Sequence, residues 1–386
     1  MLKTKVGYSN LEDAYEAGVE TAKKATDGIN AKVGLLFNSV NYNQKKLIEG
    51  IKSIIPEVDI VGCATGAGII TSEGYFTDET GATGMFALSD EDLTVACYGM
   101  AKKKSARATG REVALKAIEK ANIDYAPDYF FMCTTPGEEE EYIKGIQDII
   151  GRVPCFGGSA ANNTVEGKET LFYNNDLFND GVVVAFFYTE KDITTVYTSA
   201  YRETKDMGII TKLNDIRVLA EIDGVPALDK YREWRGLDDE SITDTNLLLT
   251  TIDSPLGIKD RLGNLTAIRH PLVGNPDKSM NIGTNIATGT AVIRMEATVD
   301  ELIDSTENTL KELKEKCPNA RGYLLIYSDA QRLAIGNRVN EVYEKIKRQA
   351  KDVPFLVVFT SAEYGYGEDQ SNTIGNLMLS FSAFEE

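Results

Sequence analysis

The sequence predicts an α/β protein of repeated α-β-α-β units that form mixed sheets with flanking helices, divided into two domains. Three observations predict it. One pattern of apolar run, polar switch, helical stretch and second apolar run recurs at residues 33–66, 129–161 and 323–365. An amphipathic stretch precedes each copy. The chain has 386 residues, more than the roughly 250–300 at which a single core stops growing.

The elements follow in order. Amphipathic stretches at about 11–25, 107–121 and 299–316 read as helices. Val33–Phe37, Tyr129–Cys133 and Tyr323–Tyr327 are the first strands, and each ends in a polar switch: Asn38-Ser39, Thr134-Thr135 and Ser328-Asp329. Ile48, Ile51, Ile54 and Ile55 mark one face of the next helix in the first copy, and Ile143, Ile146, Ile149 and Ile150 do so in the second. The third copy places this helix at 337–350. A second apolar strand closes each copy and runs into Gly62–Gly66, Gly157–Ala161 or Thr360–Glu363. Apolar strands joined through a helix indicate parallel crossovers, buried on both faces.

Between the copies, Gly84–Leu88 and Leu93–Gly99 read as one hairpin, and Val182–Tyr188 and Ile193–Tyr201 as another. Residues 205–295 differ, with a strand at Ile216–Ile222, a helix at Pro226–Trp234, loop-rich sequence, and a strand at Gly289–Met295. The expected domains are 1–200, with two copies, and 201–386, with one copy plus this divergent half.

Composition narrows the function. Lys and Arg number 41 against 59 Asp and Glu, a formal charge of −18. That balance repels phosphate backbones and anionic lipid, so neither nucleic-acid binding nor membrane insertion is expected. No stretch approaches the roughly 20 apolar residues of a membrane span. Five scattered cysteines with no CxxC pair fit a reducing, cytoplasmic setting. One histidine and unclustered cysteines exclude a conventional zinc site, and no GxxxxGK[ST] loop occurs. No cofactor, metal or catalytic constellation is expected.

Ligands of open α/β sheets bind beyond the carboxyl ends of strands. The residues there are Asn38, Ser39, Cys63, Thr65, Gly66, Thr134, Thr135, Gly157, Gly158, Ser159, Ser328, Asp329, Arg332 and Glu363. Small residues admit a ligand to backbone N–H groups, and hydroxyls supply adaptable hydrogen bonds. The same residue types also cap helices. Arg332, Arg269 and Arg294 are candidates for holding an anion, Arg332 first because it follows a repeat strand. Glu138–Glu141 suit the positive end of a helix. His270, the only histidine, is a remote partner for Cys63.

The run Val61–Gly66 resembles the Gly-Cys-Ser-Thr-x-Gly-Glu signature of FIST N-terminal domains, and Phe156–Ala160 resembles that family's second glycine motif. Leu219–Tyr231 is similar to the segment opening FIST C-terminal domains, and Thr360–Gly365 takes the place of the final Gly-Glu motif. The sequence departs at Ala67, where the family tends to carry Glu, at Asp329, where it carries Cys, and at Ala362, where Gly is usual. The resemblance implies a stand-alone sensory protein. It would bind a small molecule, an amino acid or related carboxylate, and relay this to a separate signalling partner. The alternative is an enzyme acting on a small acid or thioester through Cys63 or an acid such as Asp329 or Glu363.

Overall fold

A computed structural model describes residues 1–77, 79, 81–162, 169–236, 247–260, 263, 265–367 and 370–386. The three units are present. The first runs through helix Ala14–Thr26, strand Val33–Ser39, helix Gln44–Ile54 and strand Asp59–Thr65. The second runs through helix Ala106–Ala121, strand Tyr129–Thr134, helix Glu139–Ile150 and strand Cys155–Ser159. The third has helix Val299–Lys316, strand Ala320–Ser328, helix Val339–Ala350 and strand Phe355–Thr360, with a further short helix, Asp329–Ile335, after its first strand. In each unit the two strands are parallel neighbours, ending at Ser39 opposite Thr65, Thr134 opposite Ser159, and Ser328 opposite Thr360. Local sequence sets the helix starts. Asp13, Asn43, Ser105 and Thr298 each accept a backbone N–H in the first turn, and Thr298 with Glu301 forms a capping box.

Neither expected hairpin forms. Thr83–Ser89 lies antiparallel between Lys3–Ser9 and Val33–Ser39, whereas Thr94–Ala101 pairs with Gly181–Tyr188 in the second unit's sheet. Gly181–Tyr188 also pairs with Tyr129–Thr134, while Ile193–Thr198 pairs with Leu379–Glu385 beside the third unit. Each parallel pair has bare edges whose N–H and C=O groups need partners. The polar linkers 90–93 and 189–192 carry the chain from one unit's edge to the next, where the second strand is needed.

A further exchange ties the units into a ring. After its second strand, the first unit makes a hairpin, Ile69–Thr71 with Gly74–Phe76, that extends the third unit's sheet at Phe355–Thr360. The second unit's hairpin, Leu171–Tyr173 with Asp176–Phe178, extends the first unit's sheet at Asp59–Thr65. The third unit's hairpin, Glu363–Tyr366 with Asn372–Gly375, extends the second unit's sheet at Cys155–Ser159. The inward faces of all three sheets share one apolar core, including Phe37, Cys63, Phe131, Cys133, Phe156, Ile326 and Val358. The helices pack outside, each unit over its own cluster.

The close approach within the second parallel pair demands glycine at Gly157. Its φ is +143°, and a Cβ there would collide with the carbonyl oxygen of Met132. Gly157→Ala is expected to cost about 3–5 kcal/mol, from backbone strain plus overpacking. Urea denaturation measures it, and a cost below about 1 kcal/mol would contradict this packing.

The divergent half forms an eight-stranded antiparallel sheet. Its strands run Leu265–Arg269, Leu256–Lys259, Ala291–Glu296, Arg202–Asp215, Val218–Ile222, Met280–Ile282 and Pro271–Gly274, and Val225–Pro226 joins beside Val218–Ile222. Helix Ala227–Arg235 covers it, burying Leu228 and Tyr231 against Ile210, Leu219, Ile222 and Met280. No helix among the described residues is long and apolar enough to cross a membrane.

Candidate functional site

The carboxyl ends of the three parallel pairs give three related clusters, and they differ in how far the protein fills them. At the first, Asn38 donates through Nδ2 to the Ser39 carbonyl at 3.2 Å and to Gln44 Oε1. Gln44 Nε2 in turn donates to the carbonyls of Ser39 and Tyr42 at 3.1 and 3.0 Å. Ser39 Oγ accepts the Asn41 N–H at 3.2 Å. Asn38, Ser39 and Thr65 are fully buried. The cluster closes on itself, although Asn38 Oδ1 and Thr65 Oγ1 have no hydrogen-bond partner among the described residues.

The second cluster is a closed polar network. Thr134 Oγ1 lies 2.7 Å and Ser159 Oγ 2.6 Å from the Tyr364 hydroxyl, which the third unit's hairpin delivers. Ser159 also donates to Glu139 Oε1 at 3.0 Å. Glu139 opens its helix, where acids complement the dipole, and accepts the Gly137 N–H at 3.0 Å. Arg217, from the eight-stranded sheet, donates through one terminal nitrogen to both Glu139 and Glu140, the latter at 2.6 Å. Its other nitrogens reach Asn285 Oδ1 at 2.8 Å and the Gly283 carbonyl at 2.7 Å. Burial pushes the Glu139 carboxyl up, and the Arg217 charge opposes that rise. Thr135 accepts the Gly181 N–H at 3.1 Å and takes no part in the network.

The third cluster is open. A cavity of about 270 Å³ is lined by Asp329, Arg332 and Leu333 of the third unit, by Ala67, Tyr75, Thr77 and Glu79 of the first, and by Asn162. Arg332 donates to the Gly336 carbonyl at 2.9 Å and to the Tyr75 hydroxyl at 3.0 Å. Its guanidinium lies 4.9 Å from the centre of the Tyr75 ring, a cation–π distance. Tyr75 then donates to the Ala67 carbonyl at 2.8 Å. Arg332 Nε is buried with no partner among the described residues. The Asp329 carboxylate has no ion pair or side-chain hydrogen bond among them either, and burial raises its pKa to about 7. Glu363 lies close enough to interact electrostatically with Asp329. It is fully buried, accepting the Thr360 hydroxyl at 3.2 Å and the Met378 N–H at 2.9 Å. Burial, with the Asp329 charge nearby, drives its carboxyl well up.

The expected site residues therefore separate. Asp329 and Arg332 meet on one cavity wall, with Glu363 behind them and Ser328 buried at the strand end. Asn38 and Ser39 belong to the first cluster, and Thr134 and Ser159 to the second. Gly66 is buried next to Ala67, which reaches the cavity. Gly157 and Gly158 allow close packing. A Cβ on Gly158 would meet the Thr360 side chain and the Ala362 carbonyl. Cys63 faces the apolar centre and is fully buried there. Strand parity explains this: Val61 and Cys63 point inward while Ile60 and Ala64 face the helices. Of the other candidates, Arg269 is spent on the carbonyls of Asn285, Ile268 and Ile374, and Arg294 is paired with Asp206. His270 contacts the Leu248 carbonyl, and burial lowers its pKa to about 4.

Sequence reasoning missed Tyr75, Tyr364 and Arg217. The two tyrosines sit on exchanged hairpins, and Arg217 sits in the divergent half. No local motif points to them.

With this geometry in place, likeness to known proteins is informative. The FIST N domain model matches residues 32–225, and the FIST C domain model matches residues 227–366. The chain belongs to the FIST family. FIST domains are generally associated with signal transduction and small-ligand sensing. The chain is also 24% identical over 334 residues to an uncharacterized protein of Methanocaldococcus jannaschii. That alignment covers 80% of this chain and 62% of the relative, so the FIST chain spans less than two thirds of its relative's length. Among solved structures it is similar to a cyanuric acid hydrolase from A. caulinodans, at 10% identity and a TM-score of 0.32 over the whole of both chains. At that score the likeness sets neither fold nor function.

Proposed function

We propose that the chain is a sensory protein that binds an amino acid or related small carboxylate in the cavity between the first and third units, and relays its occupancy to a separate signalling partner. One observation carries this reading. Of the three strand ends, the third combines a cavity, an anchored guanidinium and a carboxylate without a side-chain partner among the described residues. Arg332 is held by Gly336 and Tyr75, so little freedom is lost when it grips a carboxylate. At about 270 Å³, the cavity lies at the lower edge of the roughly 300–1,000 Å³ common for ligand pockets. That favours a small metabolite over a nucleotide.

The relay has a physical route. Tyr75 belongs to the first unit by sequence and to the third unit's sheet by pairing. A ligand drawing on Arg332 competes for the Arg332–Tyr75 bond and so acts on the junction between units. Five free, buried cysteines fit a reducing compartment such as the cytoplasm.

The thiol version of the enzyme reading finds no support, because Cys63 is buried in the central core with no base beside it among the described residues.

Thermal-shift screening against amino acids and small acids tests the proposal. A ligand at 100 times its Kd is expected to add about 2.7 kcal/mol of stability. Arg332→Leu is expected to abolish the shift. No shift from any member of the panel, or an undiminished shift in Arg332→Leu, would sink it.

A further inference from the structure

The cavity presents both charges to its occupant: Arg332 and Asp329 stand three residues apart on one short helix, and Glu79 joins them from the first unit. Asp329 is the inner acid, whereas Glu79 is exposed. A plain carboxylate would leave Asp329 facing either the cavity or the ligand's own negative charge. A ligand that also carries an ammonium group answers both charges at once.

We propose that Asp329 recognises the ammonium group of the ligand, so that ligand binding releases a proton from the protein near neutral pH. This rests on the reading of the cavity as a small-carboxylate site, and it adds the second ligand group and a linkage to pH. The balance is simple. Free protein holds Asp329 partly as the neutral acid, because burial raises its pKa to about 7. The arriving ammonium favours the carboxylate, and the displaced proton leaves to solvent. The ligand's ammonium keeps its own protons.

The groups facing Asp329 can be named. Arg332 stands on the same helix as Asp329. Tyr75 and Glu79 come from the first unit, Tyr327 from the preceding strand, and Glu363 from the exchanged hairpin. Of the last two, Tyr327 is pushed up by burial and stays neutral near pH 7. Glu363 is also raised, but it is fully buried and both its oxygens already accept hydrogen bonds. Asp329 is therefore the acid that a ligand meets.

The test is calorimetric titration of the full chain with each of the twenty L-amino acids and with its desamino counterpart. Titrations run at pH 6 and pH 8, each in two buffers of different ionisation enthalpy. The expected result is binding of at least one amino acid, with affinity about tenfold higher at pH 8 than at pH 6 and a net proton release. The desamino counterpart should bind at least tenfold more weakly at pH 8. Asp329→Asn should remove the proton release and flatten the pH dependence. If that variant does not fold, the wild-type proton count decides alone. Equal binding of the desamino acid, no proton release, or proton release that persists in Asp329→Asn would each overturn the proposal. In all three cases the small-carboxylate reading would still stand. Absence of binding by every amino acid and every desamino acid would remove both.

Discussion

Replacing Arg217 by alanine is expected to lower the unfolding free energy by about 3–5 kcal/mol, the cost of breaking a buried ion pair from one side. The geometry explains why the effect is large. Arg217 bridges Glu139 and Glu140, whose side chains are 1% and 17% exposed, while its own is 16% exposed. Removing it strands two carboxylates and unpairs Asn285 Oδ1 and the Gly283 carbonyl. Glu139 would then favour its protonated form more strongly, since burial already pushes it up with Arg217 present. Changing Arg217 to Met together with Glu139 and Glu140 to Gln should recover much of the loss, because an uncharged set leaves no buried charge uncompensated. Urea denaturation of the three proteins measures this. If Arg217→Ala lost less than about 1 kcal/mol, the network would not be holding the eight-stranded sheet to the second unit.

The second large effect runs the other way. Asp329→Asn is expected to stabilise the unliganded protein by roughly 2–4 kcal/mol at pH 8 and to leave it almost unchanged at pH 4. The folded carboxyl has a pKa of about 7 against an ordinary 3.8, and burial is the cause. Below the ordinary value both folded and unfolded chains hold the proton, so stability is full. As pH rises from about 4 to 7, the unfolded chain gives up its proton while the folded chain keeps it, and stability falls. Above about 7 both forms are ionised and the loss is complete. Each pKa step is worth about 1.4 kcal/mol, and partial access to the cavity reduces the total below its full value. Glu363 is present in both proteins, so its own contribution largely cancels in the difference. Denaturation curves from pH 4 to 8 provide the check. A stability difference that does not change with pH would contradict it.

Much of the architecture was legible because it is local. The apolar stretch Val33–Phe37, the spacing of Ile48 and Ile51, and the cap at Asn43 each report on a few neighbouring residues, and the repeat multiplies the signal. What was not legible is non-local. The linkers 90–93 and 189–192 carry polar residues that suit a hairpin loop equally well, and nothing within them tells whether the next strand returns or moves to another sheet. The hairpin exchange is hidden for the same reason. Asp329 and Arg332 could be chosen from their position after a strand. Tyr75, about 250 residues earlier, could not. Cys63 shows the limit of reading by motif. Its glycine-rich setting looks like a site, yet the alternation of its strand turns the thiol into the core.

Central to the account is that the third strand end is where a small metabolite binds. The most direct measurement is a crystal structure of the full chain purified from cells without added ligand, refined to a resolution that separates small molecules from water. The prediction is density for a small molecule between Arg332 and Asp329, with its carboxylate on the guanidinium. Ordered water alone in this cavity, with a small molecule bound instead at the Asn38 or Ser159 strand ends, would contradict it.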